Sequence, residues 1–190
     1  RRVAPPAGTG SALGAGPPVE PPRRTAAVSA CDHLFISSAL LDWALAEWLT
    51  LRLTAEGYRV WCRRFPLIGG ERYPRDAEQA IASDTFRLIA LVSRVSRSDT
   101  GATRQLELGL GIGRERDIDF LIPLAVDDLA PGDQPAALPD LVLIPFSRSW
   151  GAGMTELLAK LRSIGVPRPL PEGERVAREA REYMTSRRSW

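Results

Sequence analysis

Few side chains in this chain can do covalent or acid–base chemistry. His33 is the only histidine, and Cys31 and Cys62 are the only cysteines. Two cysteines and one histidine fall short of a four-ligand zinc site, and two cysteines build no disulfide scaffold. A Ser-His-Asp or Cys-His system would have to use His33, and the sequence has no G-x-S-x-G nucleophile motif. His33 opens an apolar run, where it reads as a structural histidine. What remains is carboxylate chemistry, or none, and no metal or bound cofactor is expected. Glu107, Glu71 and Asp42 are the carboxylates of interest, with the hydroxyls of Ser37, Ser38 and Ser93 beside them. The run Gly109-Leu110-Gly111-Ile112-Gly113 has the wrong spacing for a dinucleotide fingerprint, because Arg114 follows directly and no strand precedes it. It lies inside a helical pattern, where close packing of helix on sheet explains the glycines.

The elements that must position these groups alternate. His33 to Ser37 is a short apolar strand, continuous enough to be buried on both faces, as in a parallel sheet. Ser37 or Ser38 is placed to cap the next helix. That helix carries Leu41, Ala44, Leu45, Trp48, Leu49 and Leu53 on one stripe, with Asp42, Glu47, Arg52 and Glu56 mostly opposite, and stops at Gly57. The spacing predicts further strands over residues 58–62, 86–92, 118–126 and 141–146, with helices over 75–83, 102–115 and 154–164. Pro123 argues against the full length of the fourth strand. A glycine- and proline-bearing loop spans 63–74, and an acidic loop spans 127–140. Strands alternating with helices mean an α/β fold with helices on both faces of a parallel sheet. Five strands fit the flavodoxin-like three-layer arrangement, order 2-1-3-4-5, with its ligand crevice at the C-terminal ends of strands 1 and 3. Those ends carry Ser37, Ser38 and Ser93.

Residues 1–29 alternate Pro, Gly and Ala without aromatics and are expected to be a disordered tail or linker. Residues 31–166 form the expected domain, and 167–190 a charged helical extension with the apolar stripe Val176, Ala177, Ala180, Tyr183 and Met184. That helix either packs on the domain or leads into another. Its four glutamates, Glu172, Glu174, Glu179 and Glu182, argue against a basic membrane-lying helix. The 190 residues carry 25 Lys+Arg against 23 Asp+Glu, a net charge of +2, which argues against a nucleic-acid binder. Lys160 is the only lysine, a bias that reads as genome composition. No apolar run is long enough to cross a membrane, and no apolar segment follows Arg1 and Arg2 as a secretory leader would require. The first residue is not Met, so the chain reads as a fragment of a longer protein. A cytoplasmic location and two free thiols are expected.

One resemblance runs through these elements. Phe35-Ile36-Ser37 with Asp42, then Leu49, Leu53, Gly57 and Val60-Trp61, resembles the opening of a bacterial Toll/interleukin receptor (TIR) domain. Residues 67–70 resemble the family's BB loop, which ends on glycine. Ala80-Ile81, Leu91-Val92-Ser93, Ser98, Leu121-Ile122-Pro123 and Leu138-Pro139 continue it in order, over roughly residues 32–165. The resemblance implies the flavodoxin-like fold and, for many bacterial members, cleavage of NAD⁺ in antiphage defence. The family's catalytic glutamate lies in the helix after strand 3, in a pattern like S-x-W-x-x-x-E, which aligns Glu107 with the glutamate. Thr103 then stands at the tryptophan and Gly101 at the serine, while His33 and Arg63 replace acidic residues usual at their positions.

Such chemistry needs one carboxylate. The nicotinamide of NAD⁺ is already cationic and departs as a neutral base, so no general acid is required. The transition state is oxocarbenium-like, and a fixed Glu⁻ beside the ribose stabilises it. On this reading Glu107 is catalytic, and Ser37, Ser38, Ile68, Gly69, Gly70, Arg72 and Thr103 contact the substrate. Helix capping is the plainer role for the two serines, and solvation the plainer role for Arg72. NAD⁺ is then substrate rather than cofactor, the product linear or cyclic ADP-ribose, and other TIR domains the partners through self-association. Two further readings stand beside it: a TIR domain that only assembles, and a nucleoside-processing enzyme of similar fold.

Overall fold

The computed structural model describes residues 31–62, 77–130, 135, 138 and 141–188. β1 (His33–Ser37) is buried along its whole length. α1 (Trp43–Ala55) follows a short 3-10 turn at Leu40–Asp42, and β2 (Arg59–Cys62) follows Gly57, whose φ of 90° only glycine adopts freely. α2 (Ala77–Ser83), β3 (Thr85–Val92), α3 (Thr100–Arg116), β4 (Leu121–Ala125), β5 (Ile144–Pro145), α4 (Trp150–Ser163) and α5 (Gly173–Arg188) complete the order. The sheet has the order β2-β1-β3-β4-β5, and every pair is parallel. This is the expected flavodoxin-like α/β architecture.

The continuous apolar run of β1 divides by period two. Leu34 and Ile36 join Leu49, Leu53, Leu124, Leu157 and Leu161 in the core under α1 and α4. Phe35, between them, joins Ile81, Leu88, Leu106 and Ile112 in the core under α2 and α3. The glycines of α3 serve this second core. A Cβ at Gly109 would strike the buried Leu88 side chain, and one at Gly113 would press on the Ile118 carbonyl. Gly111 meets nothing.

Several boundaries differ from expectation for local reasons. α3 runs on to Arg116 and ends on Asp117, which takes a left-handed φ of 52° while the Ile118 amide bonds back to the Gly113 carbonyl. The fourth strand therefore starts at Leu121 rather than 118. β5 shrinks to two residues and pairs only with Leu124 and Ala125 of β4. Pro123 consequently sits outside that ladder, which is how a proline fits within the sheet. α4 begins four residues earlier than expected, at Trp150, because Ser149 caps it by accepting from the Ala152 amide at 3.3 Å.

α1 was expected to have one apolar stripe. Its sheet-facing residues Leu45, Leu49 and Leu53 are buried, and so are Ala46, Thr50 and Thr54 on the adjoining stripe. α5 packs against α1, and Ala177 is buried there. The connection is pinned at Gly57, whose carbonyl accepts from the Leu170 amide at 3.1 Å, and at Glu56, whose carbonyl accepts from Arg168 Nε at 2.6 Å. Residues 1–29 and the loop over 63–74 lie outside the described residues.

Candidate functional site

β1 and β3 are neighbours, and the helices after them leave on opposite faces of the sheet, which opens a crevice at their C-terminal ends. Ser37, 3% exposed, closes β1. Its Oγ donates to Gln105 Oε1 at 2.7 Å. Ser37 and Ser38 cap no helix: Ala39 precedes the 3-10 turn and Asp42 precedes α1, neither with a side-chain cap bond. The buried Ser37 hydroxyl turns instead to the nearest polar group on α3. Ser38 is half-buried beside it.

α3 is aimed at this point by Asp99. One oxygen of Asp99 accepts from the Ala102 amide at 2.9 Å and caps the helix, and the other accepts from the Leu40 amide at 3.4 Å. The loop after β3 is closed on itself. Ser93 Oγ accepts from the Ser96 amide at 3.0 Å, and Ser96 Oγ accepts from the Ser93 amide at 2.9 Å. Ser93 Oγ then donates to Asp42 Oδ2 at 2.6 Å. On the other side the Arg94 amide donates to Asp127 at 2.8 Å. Burial pushes the Asp42 carboxyl above its usual range; the Ser93 hydroxyl opposes this, and the negative charges of Asp127 and Asp99 add to it. Loops after β1, β3 and β4 are thus tied together through Asp42, Asp99 and Asp127.

Glu107 is elsewhere on the helix. It is exposed, while Gln105 is half-buried and meets Ser37. At 3.6 residues per turn, Gln105 lies about 70° from the centre of the inward stripe Ala102, Leu106 and Gly109, and Glu107 about 130° away. Sequence reasoning missed Gln105 because it searched for a carboxylate. The helical phase was the available signal, because Gln105 lies at the edge of the inward stripe of α3. Thr103 is half-buried on α3, and Ile68, Gly69, Gly70, Glu71 and Arg72 lie outside the described residues.

His33 has a structural setting at the opposite end of β1. Its ring stacks on Trp61 with centroids 3.9 Å apart, and Nδ1 lies 2.7 Å from Asp32, which also meets Arg59 at 2.8 Å. Cys31 and Cys62 are free thiols. Among the described residues no cluster of His, Cys, Asp or Glu is placed to hold a metal ion, and no helix is long and apolar enough to cross a membrane.

The fold agrees with the comparison to known families. The family model described as "TIR domain" matches residues 34–158, so the chain belongs to the TIR domain family. A relative from Sinorhizobium fredii (strain NBRC 101917 / NGR234), "Uncharacterized protein y4cD", is 30% identical over 171 residues, covering 89% of this chain. Those residues span 24% of that relative, so this chain corresponds to about a quarter of it.

Proposed function

We propose that this TIR domain is an assembly and signalling module in which the crevice has lost the carboxylate that NAD⁺ cleavage needs. One observation carries the reading: the side chain that meets Ser37 at the switch point is the neutral amide of Gln105. An amide cannot supply the negative charge that stabilises a ribosyl cation. The other carboxylates near the crevice are engaged in holding it together. Asp42 accepts from Ser93, Asp99 caps α3, and Asp127 accepts from the loop after β3. The edge around the crevice is apolar and open, with Leu40 58% and Leu41 73% exposed and Trp43 and Val95 beside them in the same tied loops. Exposed apolar side chains gathered this way suit a protein partner, and another TIR domain is the partner the family offers.

TIR domains can be NAD⁺-cleaving enzymes, and retention of Glu107 on the same helix favours that reading as the rival. It requires α3 to turn or to borrow a neighbouring copy, so that an outward-facing carboxylate reaches substrate. The experiment that separates the two is incubation of the full chain with NAD⁺ at high protein concentration, with nicotinamide resolved by mass. The expected result is no release by the parent chain. Release that disappears in Glu107→Gln would overturn the assembly reading and restore Glu107 as the catalytic group. An antiphage role, through assembly without NAD⁺ loss, remains part of the proposal.

A further inference from the structure

A second cavity lies at the other end of the sheet, away from the crevice and independent of how the crevice is read. It measures about 590 Å³ and opens between the last turns of α3, the starts of β3 and β4, and the residue after α4, Ile164. This volume is in the range of small-molecule sites, about 300–1,000 Å³. Its walls are mostly apolar, including Leu110, Ile118, Phe120, Leu121 and Ile164. The backbones of Gly109 and Gly113 also line it.

Two arginines enter this apolar setting. Arg87, on β3, is half-buried and lies over the Phe86 ring at 4.5 Å, with one terminal nitrogen donating to the Phe86 carbonyl at 2.7 Å. Its Nε is buried and has no hydrogen-bond partner. Arg114, on α3, reaches the same cavity from the exposed side. Neither guanidinium forms an ion pair among the described residues. Asp117 and Asp119 also line the cavity, and Asp119 is held by Lys160 at 3.0 Å. The lining itself holds two arginines and two carboxylates, and Lys160, outside it, neutralises Asp119, which leaves the two arginines against Asp117. Partial burial pulls the Arg87 pKa below its usual value, against the attraction of Asp119.

We infer that this cavity binds a small amphipathic carboxylate, with its apolar body against Leu110, Ile118 and Ile164 and its carboxylate between Arg87 and Arg114. The charge balance favours one negative charge, and the guanidinium fork matches the two oxygens of a carboxylate. Apolar area supplies affinity, and the two arginines fix orientation.

The test uses decanoate below its micelle concentration, titrated calorimetrically into the full 190-residue chain, with decanol as the uncharged probe. Saturable binding at one site is expected for decanoate and markedly weaker binding for decanol. Arg114→Gln, at an exposed position that leaves folding unchanged, should weaken decanoate about tenfold or more, as removal of a charged hydrogen bond does. Arg87→Met should do the same, with decanol binding unchanged in both variants. Methyl signals of Ile118 and Ile164 should shift on titration. Lack of saturable binding to the parent chain would overturn the inference. So would equal decanoate affinity in the parent and both variants, or shifts confined to methyl groups outside the cavity.

Discussion

Asp42 concentrates the electrostatic tension of the crevice. Its carboxylate is partly buried, accepts from Ser93, and faces the like charges of Asp99 and Asp127. A carboxyl whose folded-state pKa is raised costs nothing while protonated in both states. Stability falls as pH climbs from the ordinary value of 3.8 toward the raised one, because the unfolded chain ionises first. Asp42→Asn keeps an acceptor for the Ser93 hydroxyl and removes the charge. The variant should be at least as stable as the parent at pH 7, with the advantage shrinking to nothing below pH 3.8. Urea unfolding across a pH series measures this, and a parent that stays more stable at neutral pH would contradict it. The same crevice shows what single residues disclose in sequence. Ser37 and Ser93 were legible as residues at the switch point, because strand order alone puts them there. Asp42 was legible as a carboxylate near that crevice but not as the acceptor for Ser93, and Gln105 was not legible, since only the phase of α3 separates it from Glu107. A second prediction follows from that phase. Glu107→Gln should leave fold and assembly unchanged, since its side chain is solvated, whereas Gln105→Leu should lower stability by stranding the buried Ser37 hydroxyl, at about 1–3 kcal/mol. Thermal unfolding of the two variants side by side distinguishes them.

At the scale of elements, the alternation of apolar runs and turn signals was enough for strand order, because a parallel sheet leaves few topologies once the crossovers are right-handed. Ends were less legible. The left-handed stop at Asp117 and the Ser149 cap are local hydrogen-bond choices that hydrophobic periodicity does not record. Nor did the sequence announce that α1 is buried on two stripes. The stripe Ala46, Thr50 and Thr54 reads as weakly amphipathic in isolation and becomes interior only because α5 lies on α1. The contact is closest at Gly173, where a Cβ would run into the Thr54 carbonyl and the Gly57 backbone. Backbone atoms on both sides cannot give way as a flexible side chain would. Gly173→Val should therefore lift the start of α5 off α1 and cost about 1–3 kcal/mol, the range for overpacking a tight contact. Denaturant unfolding should show a lower midpoint, and limited proteolysis should cut earlier within residues 167–188. A variant with the parent's midpoint would mean that α5 contributes little to the domain.

Across the whole molecule, the apolar surface is unevenly placed. α5 covers the outer stripe of α1, and α4 lies beside α1 with Trp150 against Trp48 at 5.4 Å. Four exposed apolar residues, Leu40, Leu41, Trp43 and Val95, sit where the segments after β1 and β3 are tied together, at the rim of the crevice. Ile118, Val142, Trp150 and Tyr183 are exposed elsewhere, one by one, whereas this edge gathers four large apolar side chains on segments that are tied together. If that edge docks on a different face of the next copy, the contact is heterologous, and repetition extends it into a ring or a filament. If it docks on itself, association ends at a dimer. The loop over residues 63–74, part of which resembles the BB loop, lies outside the described residues; Leu41 gives a probe whose surroundings are described. Leu41→Asp places a charge at a 73% exposed position, so the fold should be unaffected, with stability within about 0.5 kcal/mol of the parent. Association should fall strongly, because a carboxylate at the centre of an apolar contact must be desolvated without a partner. Light scattering over a wide dilution series reads the result. The parent's mean mass is expected to climb with concentration without levelling at two copies, while Leu41→Asp stays at the mass of one chain. A parent that is monomeric throughout would reject this edge as an assembly surface, and a plateau at two copies would replace the heterologous contact with a symmetric one.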